Sequence, residues 1–354
     1  MESNQYKLCN AMINDMKNQP ALYKPTTFWE QCSQMITNEL YEKGIEHFRS
    51  LVYPRMLFIP TYSFGNYLID DALFQEVLSN LEHTVRDPRL LIRTKKFFSG
   101  KLHALADYRV LQASNINKPP YTDKISESTI GNPIEHFCFE GRNFSRSFLN
   151  YTLGLNFLKK HIGNCSIHTV LEIGGGYGTL GEILIGDERN NCFYINLDIP
   201  PVAFVSTYYL QSVFGKESIA DYEDLKDETT LDIASLKQHY KAINTCVWEI
   251  EKLHGKIDLF VNFISFQEME PDVVQNYCMH IERLQPSFVL LRNMEEGKKK
   301  KDKDTLYGVE NPILGNDYDT FLPNYKLIAQ DSTTFGFVTE DGFHSQLRLY
   351  QRKI

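Results

Sequence analysis

The run Thr169-Val170-Leu171-Glu172-Ile173-Gly174-Gly175-Gly176-Tyr177-Gly178 joins an apolar strand to a carboxylate and then to alternate glycines. This is the E-x-G-x-G-x-G pattern of an S-adenosylmethionine (SAM) loop. The ligand's methionine end lies directly on the backbone, where any Cβ would collide with it. A helix expected from Thr179 to Ile185 points its first N–H groups at the ligand and favours the carboxylate end. Glu172, at the end of the strand, is expected to take the amino group. Gly174, Gly176, Tyr177 and Gly178 are the other expected cofactor residues of the loop.

A second pattern overlaps the first. Gly176-Tyr177-Gly178-Thr179-Leu180-Gly181 fits the dinucleotide fingerprint G-x-G-x-x-G, with Asp198 where a ribose ligand belongs. In that fingerprint, however, the first glycine follows the strand almost at once, whereas here Gly174 and Gly175 intervene. SAM is therefore the better reading and NAD the alternative. Phe193-Tyr194-Ile195-Asn196-Leu197-Asp198 reads as a buried strand ending in the carboxylate that would hold both ribose hydroxyls, with Ile199 against the adenine.

The elements that position these residues follow from periodicity. A helix is expected over Val202 to Phe214, a strand over Ile257 to Asn262, a helix from Asp272 to Leu284 and a strand over Ser287 to Leu291. Tyr325 to Ala329 and Gln346 to Tyr350 read as a closing pair of strands with no helix between them. The order predicts an α/β fold with a doubly wound, mostly parallel, Rossmann-like sheet and one antiparallel strand.

The first third differs in texture. Thr27-Phe28-Trp29-Glu30 reads as a capping box opening a helix that carries Ile36, Leu40, Ile45 and Phe48, and another helix is expected from Ala72 to Leu81. The polar, proline-containing stretch from Gln112 to Pro133 is the expected joint. It divides a helical region, 1–125, from a catalytic domain, 126–354. Such an appendage serves as a lid, as a dimer surface or as added bulk.

Composition narrows the class. The chain has 354 residues, 42% hydrophobic and 23% charged, with a net charge of −8. That balance disfavours nucleic acid as a partner, since neutralising phosphates needs a basic face. The run Lys298-Lys299-Lys300-Lys301-Asp302-Lys303-Asp304 reads as a solvated loop, or as a contact for the phosphate of a nucleotide-linked substrate. Seven scattered cysteines without C-x-x-C fit buried, reduced thiols in a cytoplasm. No apolar run reaches the length of a membrane span.

Five separated motifs together resemble the sugar O-methyltransferase family. They are Gly131-Asn132-Pro133, Gly141-Arg142-Asn143-Phe144-Ser145-Arg146 leading to Tyr151, the glycine loop, Leu197-Asp198-Ile199-Pro200 with Tyr208-Tyr209-Leu210, and Asp258-Leu259-Phe260-Val261-Asn262 with Ser265-Phe266-Gln267-Glu268-Met269. The resemblance covers roughly Gly131 to Asn293. It implies a seven-stranded class I SAM-dependent methyltransferase. The implied acceptor is a sugar or glycan hydroxyl of bacterial surface polysaccharide or a glycoside; the alternative is a SAM-dependent methyltransferase acting on a non-sugar metabolite. On this reading Asn262 joins the cofactor residues and Gln267 the substrate residues. The stretch from Lys216 to Lys256 is longer and more polar than the pattern, which leaves Asp221 and Asp224 as candidates for the adenine-binding acid.

Methylating an oxygen requires removal of its proton, so a base or a metal is expected. Glu268 is the first candidate because it follows a parallel strand, where loops face the ligand crevice; the alternative is that Glu268, Glu270 and Asp272 favour the next helix N-terminus. His136 is the second, by its pKa range, and His344 ranks lower. A divalent metal on Glu268, Glu270 and Asp272 is a further alternative. Arg142 and Arg146 suit the SAM carboxylate or a substrate phosphate, with surface salt bridges the competing role. Tyr151 and Tyr177 suit the pocket wall.

Overall fold

The computed structural model describes residues 4–62, 71–301, 308–331 and 345–353. Its first third holds helices α1 (Lys7–Met16), α2 (Thr27–Lys43), α3 (Val52–Leu57), α4 (Asp71–Thr84), α5 (Pro88–Phe98) and α6 (Lys101–Ser114). A hairpin of β1 (Phe137–Phe139) and β2 (Arg142–Phe144) leads into α7 (Arg146–His161). The Ser145 hydroxyl caps α7 by accepting from the Phe148 N–H at 3.1 Å.

The main sheet comprises β3 (Thr169–Ile173), β4 (Phe193–Asp198), β5 (Ile219–Ala220), β7 (Ala242–Cys246), β9 (Leu259–Phe263), β10 (Phe288–Met294), β11 (Tyr325–Asp331) and β12 (Ser345–Arg352). Two short strands, β6 (Leu231–Asp232) and β8 (Leu253–His254), pair separately. The connections carry α8 (Thr179–Ile185), α9 (Val202–Phe214), α10 (Tyr222–Leu225), α11 (Ile233–His239), α12 (Pro271–Leu284) and α13 (Asp317–Phe321).

Spatial order is β11-β12-β10-β9-β3-β4-β7-β5, parallel except for β12, which runs antiparallel to both β10 and β11. The expected doubly wound, mostly parallel sheet is therefore present, with eight described strands where seven were expected. The addition is the two-residue edge strand β5. β3 and β9 are buried along their whole length, as continuous apolar runs in a doubly covered sheet must be. The chain leaves β3 toward β4 on one side and returns to β9 on the other, so the switch point, where crevices form, lies at the carboxyl end of β3.

Sequence reading missed β7, Ala-Ile-Asn-Thr-Cys, because the adjacent polar residues Asn244 and Thr245 interrupt its apolar run, although all five residues are buried. The polarity of Asn244 is answered internally: its amide donates to the Ala203 carbonyl at 2.8 Å and to Thr207 Oγ1 at 2.6 Å. The helix opening near Thr27 stops at Lys43 instead of carrying on to Phe48. Gly44, at φ +92°, ends it, and Ile45 and Phe48 reach the same core through a 3-10 turn. Thr26, the N-cap, makes no side-chain cap bond.

Buried side chains of the N-terminal helices and of the sheet form one continuous apolar cluster. Between them lies an ionic knot. Arg49, wholly buried, donates to Glu127 Oε1 at 2.7 Å, to Glu135 Oε1 at 2.7 Å and to the Ser128 carbonyl at 3.1 Å. All seven cysteines are free. Cys138 and Cys165 are exposed, contrary to the expectation of burial, because they lie in the hairpin and in the loop after α7. No helix among the described residues is long and apolar enough to cross a membrane.

Candidate active site

The carboxyl ends of β3, β4, β9 and β10 open into a cavity of about 1250 Å³. That exceeds the roughly 300–1,000 Å³ usual for one small ligand, so the cavity has room for more than one. The glycine loop forms its floor. Gly174, Gly176 and Gly178 have φ of +70°, +59° and +95°, conformations in which L side chains are strained.

The glycines do different work. A Cβ on Gly174 would stand 2.0 Å from Ser265 Oγ, and one on Gly175 would stand 2.4 Å from Asn196 Oδ1, so these two allow close packing within the protein. A Cβ on Gly176 would meet only the Phe58 carbonyl, at 3.8 Å. That position faces open cavity. The loop is tied to β4 by the Gly174 N–H donating to the Leu197 carbonyl at 2.9 Å.

Asp198 lines the cavity and accepts from the Gly176 N–H at 3.2 Å and the Ile199 N–H at 2.8 Å. Burial pushes its pKa up to about 8 despite these two bonds. Ile199 and Val247, from the ends of β4 and β7, add apolar wall on the same side. Glu172 is turned away from the cavity. It lies beneath the loop, accepting from the Tyr151 hydroxyl at 2.7 Å and from Tyr194, and burial raises its pKa to about 7. Tyr151 itself lines the cavity, stacked on Phe263 at 4.8 Å. Tyr177 also lines it, with its hydroxyl donating to Glu127 Oε1 at 2.8 Å.

Beyond β9, three buried amides lock the crevice. The Asn262 amide donates to the Ile173 carbonyl at 2.9 Å, and its oxygen accepts from the Phe266 N–H at 3.0 Å and from Asn293 at 3.3 Å. Gln267 accepts from the Met294 N–H at 2.7 Å while its own N–H donates to Asn293 Oδ1 at 3.2 Å. Asn262 thus braces strand ends, whereas Gln267 also reaches the cavity wall. Between them Ile264 holds φ +72°, a strained state for a β-branched residue, at the cavity surface.

Glu268 lines the cavity with both oxygens engaged. Trp29 Nε1 donates at 3.0 Å and Lys298 Nζ at 2.7 Å. Lys298 also sits 3.6 Å over the Phe28 ring. The first lysine of the charged run is therefore half-buried in the wall, not solvated; Asp302, Lys303 and Asp304 lie outside the described residues, as does His344. Through Phe28, Trp29 and Phe58 the N-terminal helices roof the cavity.

His136 stands outside the cavity wall, its Nε2 3.0 Å from Arg49 and 3.4 Å from Glu127. Arg142 is likewise outside, donating to the Asp123 carbonyl at 2.5 Å and to Tyr108 at 3.3 Å. Arg146 does line the cavity and donates to the Thr61 carbonyl at 2.9 Å. Asp221 and Asp224 form the capping box of α10 and have no place in the wall. The acids considered for a metal diverge. Glu270 accepts from the backbone N–H groups of Glu310 and Asn311, Asp272 is exposed, and no group of three or more metal-capable side chains occurs among the described residues. A metal at that triplet does not fit.

Sequence reading missed Trp29, Lys298, Val247 and Arg292 as wall residues. Trp29 was read only as part of a helix start, and Arg292 sits within an apolar strand pattern. Neither carries a local signal of function.

No family model and no curated protein matches the chain. Among solved structures, it is similar to magnesium protoporphyrin IX methyltransferase from Synechocystis PCC 6803 with bound SAH, at 12% identity and TM-score 0.40, over 58% of this chain and 83% of that one. It is also similar to 1,6-didemethyltoxoflavin-N1-methyltransferase from Burkholderia thailandensis, at 12% identity and TM-score 0.37, over 58% and 79%. A third is the methyltransferase domain of bacterial CtHen1, at 10% identity and TM-score 0.39, over 59% and 98%.

Proposed function

We propose that the chain is a SAM-dependent O-methyltransferase. One observation carries this: a strand-end loop whose Gly176 leaves open cavity where a side chain would be, beside a buried strand-end carboxylate, Asp198. When bound there, SAM supplies an activated methyl group. The chain's residues supply placement. Asp198 would accept the ribose hydroxyls, Ile199 and Val247 would flank the adenine, and the backbone at Gly174 to Gly176 would run along the methionine portion.

Orientation is the larger part of what the protein contributes, because aligning a bound hydroxyl with a bound methyl donor removes most of the entropic barrier. Glu268 is the proposed proton acceptor. Each of its oxygens keeps a lone pair beyond the bonds from Trp29 and Lys298, and both donors fix the carboxylate's direction. The roof from the N-terminal helices covers one side of the place where the transfer would occur. The acceptor is read as a sugar or glycan hydroxyl on the strength of the five sequence motifs. A cytoplasmic location and a possible homodimer belong to the same reading.

Calorimetry tests the cofactor. SAM and SAH should bind and NAD should not, and Gly176→Val should abolish SAH binding at temperatures where the variant is still folded, its melting temperature lowered by the strain of a β-branched residue at φ +59°. Binding of NAD alone would overturn the proposal.

A further inference from the structure

One wall of the cavity carries a cation to which no hydrogen bond is made at two of its nitrogens among the described residues. Arg292 lies on β10, is 3% exposed and lines the cavity, yet its Nε and Nη1 are buried without any hydrogen-bond partner. A buried guanidinium with unanswered N–H groups is among the least favourable arrangements a core can hold, and proteins retain few of them. Arg146, in the same wall, adds a like charge. Asp107, whose field also reaches Arg292, accepts the Tyr62 hydroxyl at 2.5 Å and makes no ion pair with it among the described residues.

Position separates this cation from the proposed nucleoside end. Asp198 ends β4, and β10 lies three places from β4 in the sheet, on the other side of the switch point. At about 4.8 Å per strand, the two sites are on the order of 14 Å apart. A rigid strand, not a loop, holds the guanidinium, so it is preorganised for a ligand that would complete its fork.

We infer that Arg292, with Arg146 beside it, seats a carboxylate or phosphate of the acceptor, so that the molecule methylated is an acid or a phosphate ester and not a neutral sugar. This rests on the methyltransferase reading for the word acceptor, but the anion site itself does not. A carboxylate or phosphate would take one edge of the guanidinium, Nε with Nη2 or Nη1 with Nη2, and so answer one of the two orphaned nitrogens as part of a fork.

The test uses inorganic phosphate as probe on the full chain, with and without saturating SAH, read by calorimetry and by melting temperature at matched ionic strength. Phosphate should bind the SAH-loaded protein. Arg292→Met should weaken that binding at least tenfold, keep the SAH dissociation constant within twofold, and melt higher than the parent without ligands, since an unanswered charge has gone. A purely structural arginine would give a lower melting temperature. A tenfold loss of SAH affinity would mean that the guanidinium holds the cofactor's own carboxylate and would overturn the assignment, as would unchanged phosphate binding. If the parent binds phosphate through Arg292 but no SAH, the methyltransferase reading fails while the anion site stands. Should Arg292→Met not fold, Arg292→Lys decides. It should keep SAH affinity and bind phosphate several-fold more weakly for want of the fork, and undiminished phosphate binding would refute the inference.

Discussion

Replacing Arg49 by Met should be among the most damaging single changes to the fold outside the apolar core. Arg49 holds Glu127 and Glu135, all three buried, between the N-terminal helices and the hairpin that precedes α7. Burial works against the charge on Glu127, and the Arg49 charge together with the hydrogen bond from His136 outweighs it, holding the carboxylate below its ordinary range. Glu135 is instead pushed up by burial, and its Oε2 lacks a partner. Removing the guanidinium takes from the two carboxylates the one cation that bridges them, and breaking a buried pair in this way costs about 3–5 kcal/mol. At roughly 2.1 cal/mol/K per residue over 354 residues, the unfolding entropy is about 0.74 kcal/mol/K, so the melting temperature should fall by about 4–7 °C. Differential scanning calorimetry reads this directly. Because Glu127 also accepts from the Tyr177 hydroxyl in the glycine loop, SAH affinity should fall as well. Adding Glu127→Gln and Glu135→Gln to Arg49→Met should restore much of the stability, since the penalty is unpaired charge and not lost volume. A melting temperature within 1 °C of the parent for Arg49→Met alone would refute this account.

Three further outcomes are expected. Asp198 has a folded-state pKa of about 8, above its ordinary 3.8, so the ligand-free protein gains stability from its bound proton below about pH 4 and loses it as pH rises through 8. If ribose recruits the ionised form, SAH affinity should tighten by up to about tenfold per pH unit below 8 and level off above it. Asp198→Asn should flatten that profile and weaken binding by about 1.5–3 kcal/mol, and a dissociation constant constant from pH 6 to 9 in the parent would exclude the assignment. Glu268→Gln should keep SAH affinity and lower turnover by about 10²-fold or more once an acceptor is identified, whereas near-parental turnover would remove it as base. Gly174→Ala should cost about 1–3 kcal/mol through its contact with Ser265, and Ser265→Gly should recover part of that in a double-mutant cycle; additive losses would show that φ strain, not the contact, dominates.

Local pattern alone determined the parts of this protein whose information is contiguous. The Thr169 to Gly178 run, the Val202 to Phe214 helix and the strand ending at Asp198 are legible because glycine spacing, an apolar run and a terminal carboxylate each act within a few residues. β7 escaped because its Asn244 is satisfied by α9, a partner some forty residues away in sequence, which no window along the chain can show. The tertiary structure also decided which way side chains face. Glu172 turns to Tyr151 and Tyr194 and not to the cavity, since β3 is buried on both faces and a carboxylate there must be hydrogen-bonded. His136 is drawn to Arg49 and Glu127, while Trp29 and Lys298 converge on Glu268 from positions 239 and 30 residues distant. Arg292 in an apolar strand looks like a residue that merely tolerates its neighbours. Only the packed sheet shows that its charge lies at a cavity with Nε and Nη1 unpaired among the described residues, because burial and partnership are properties of the fold and not of the chain.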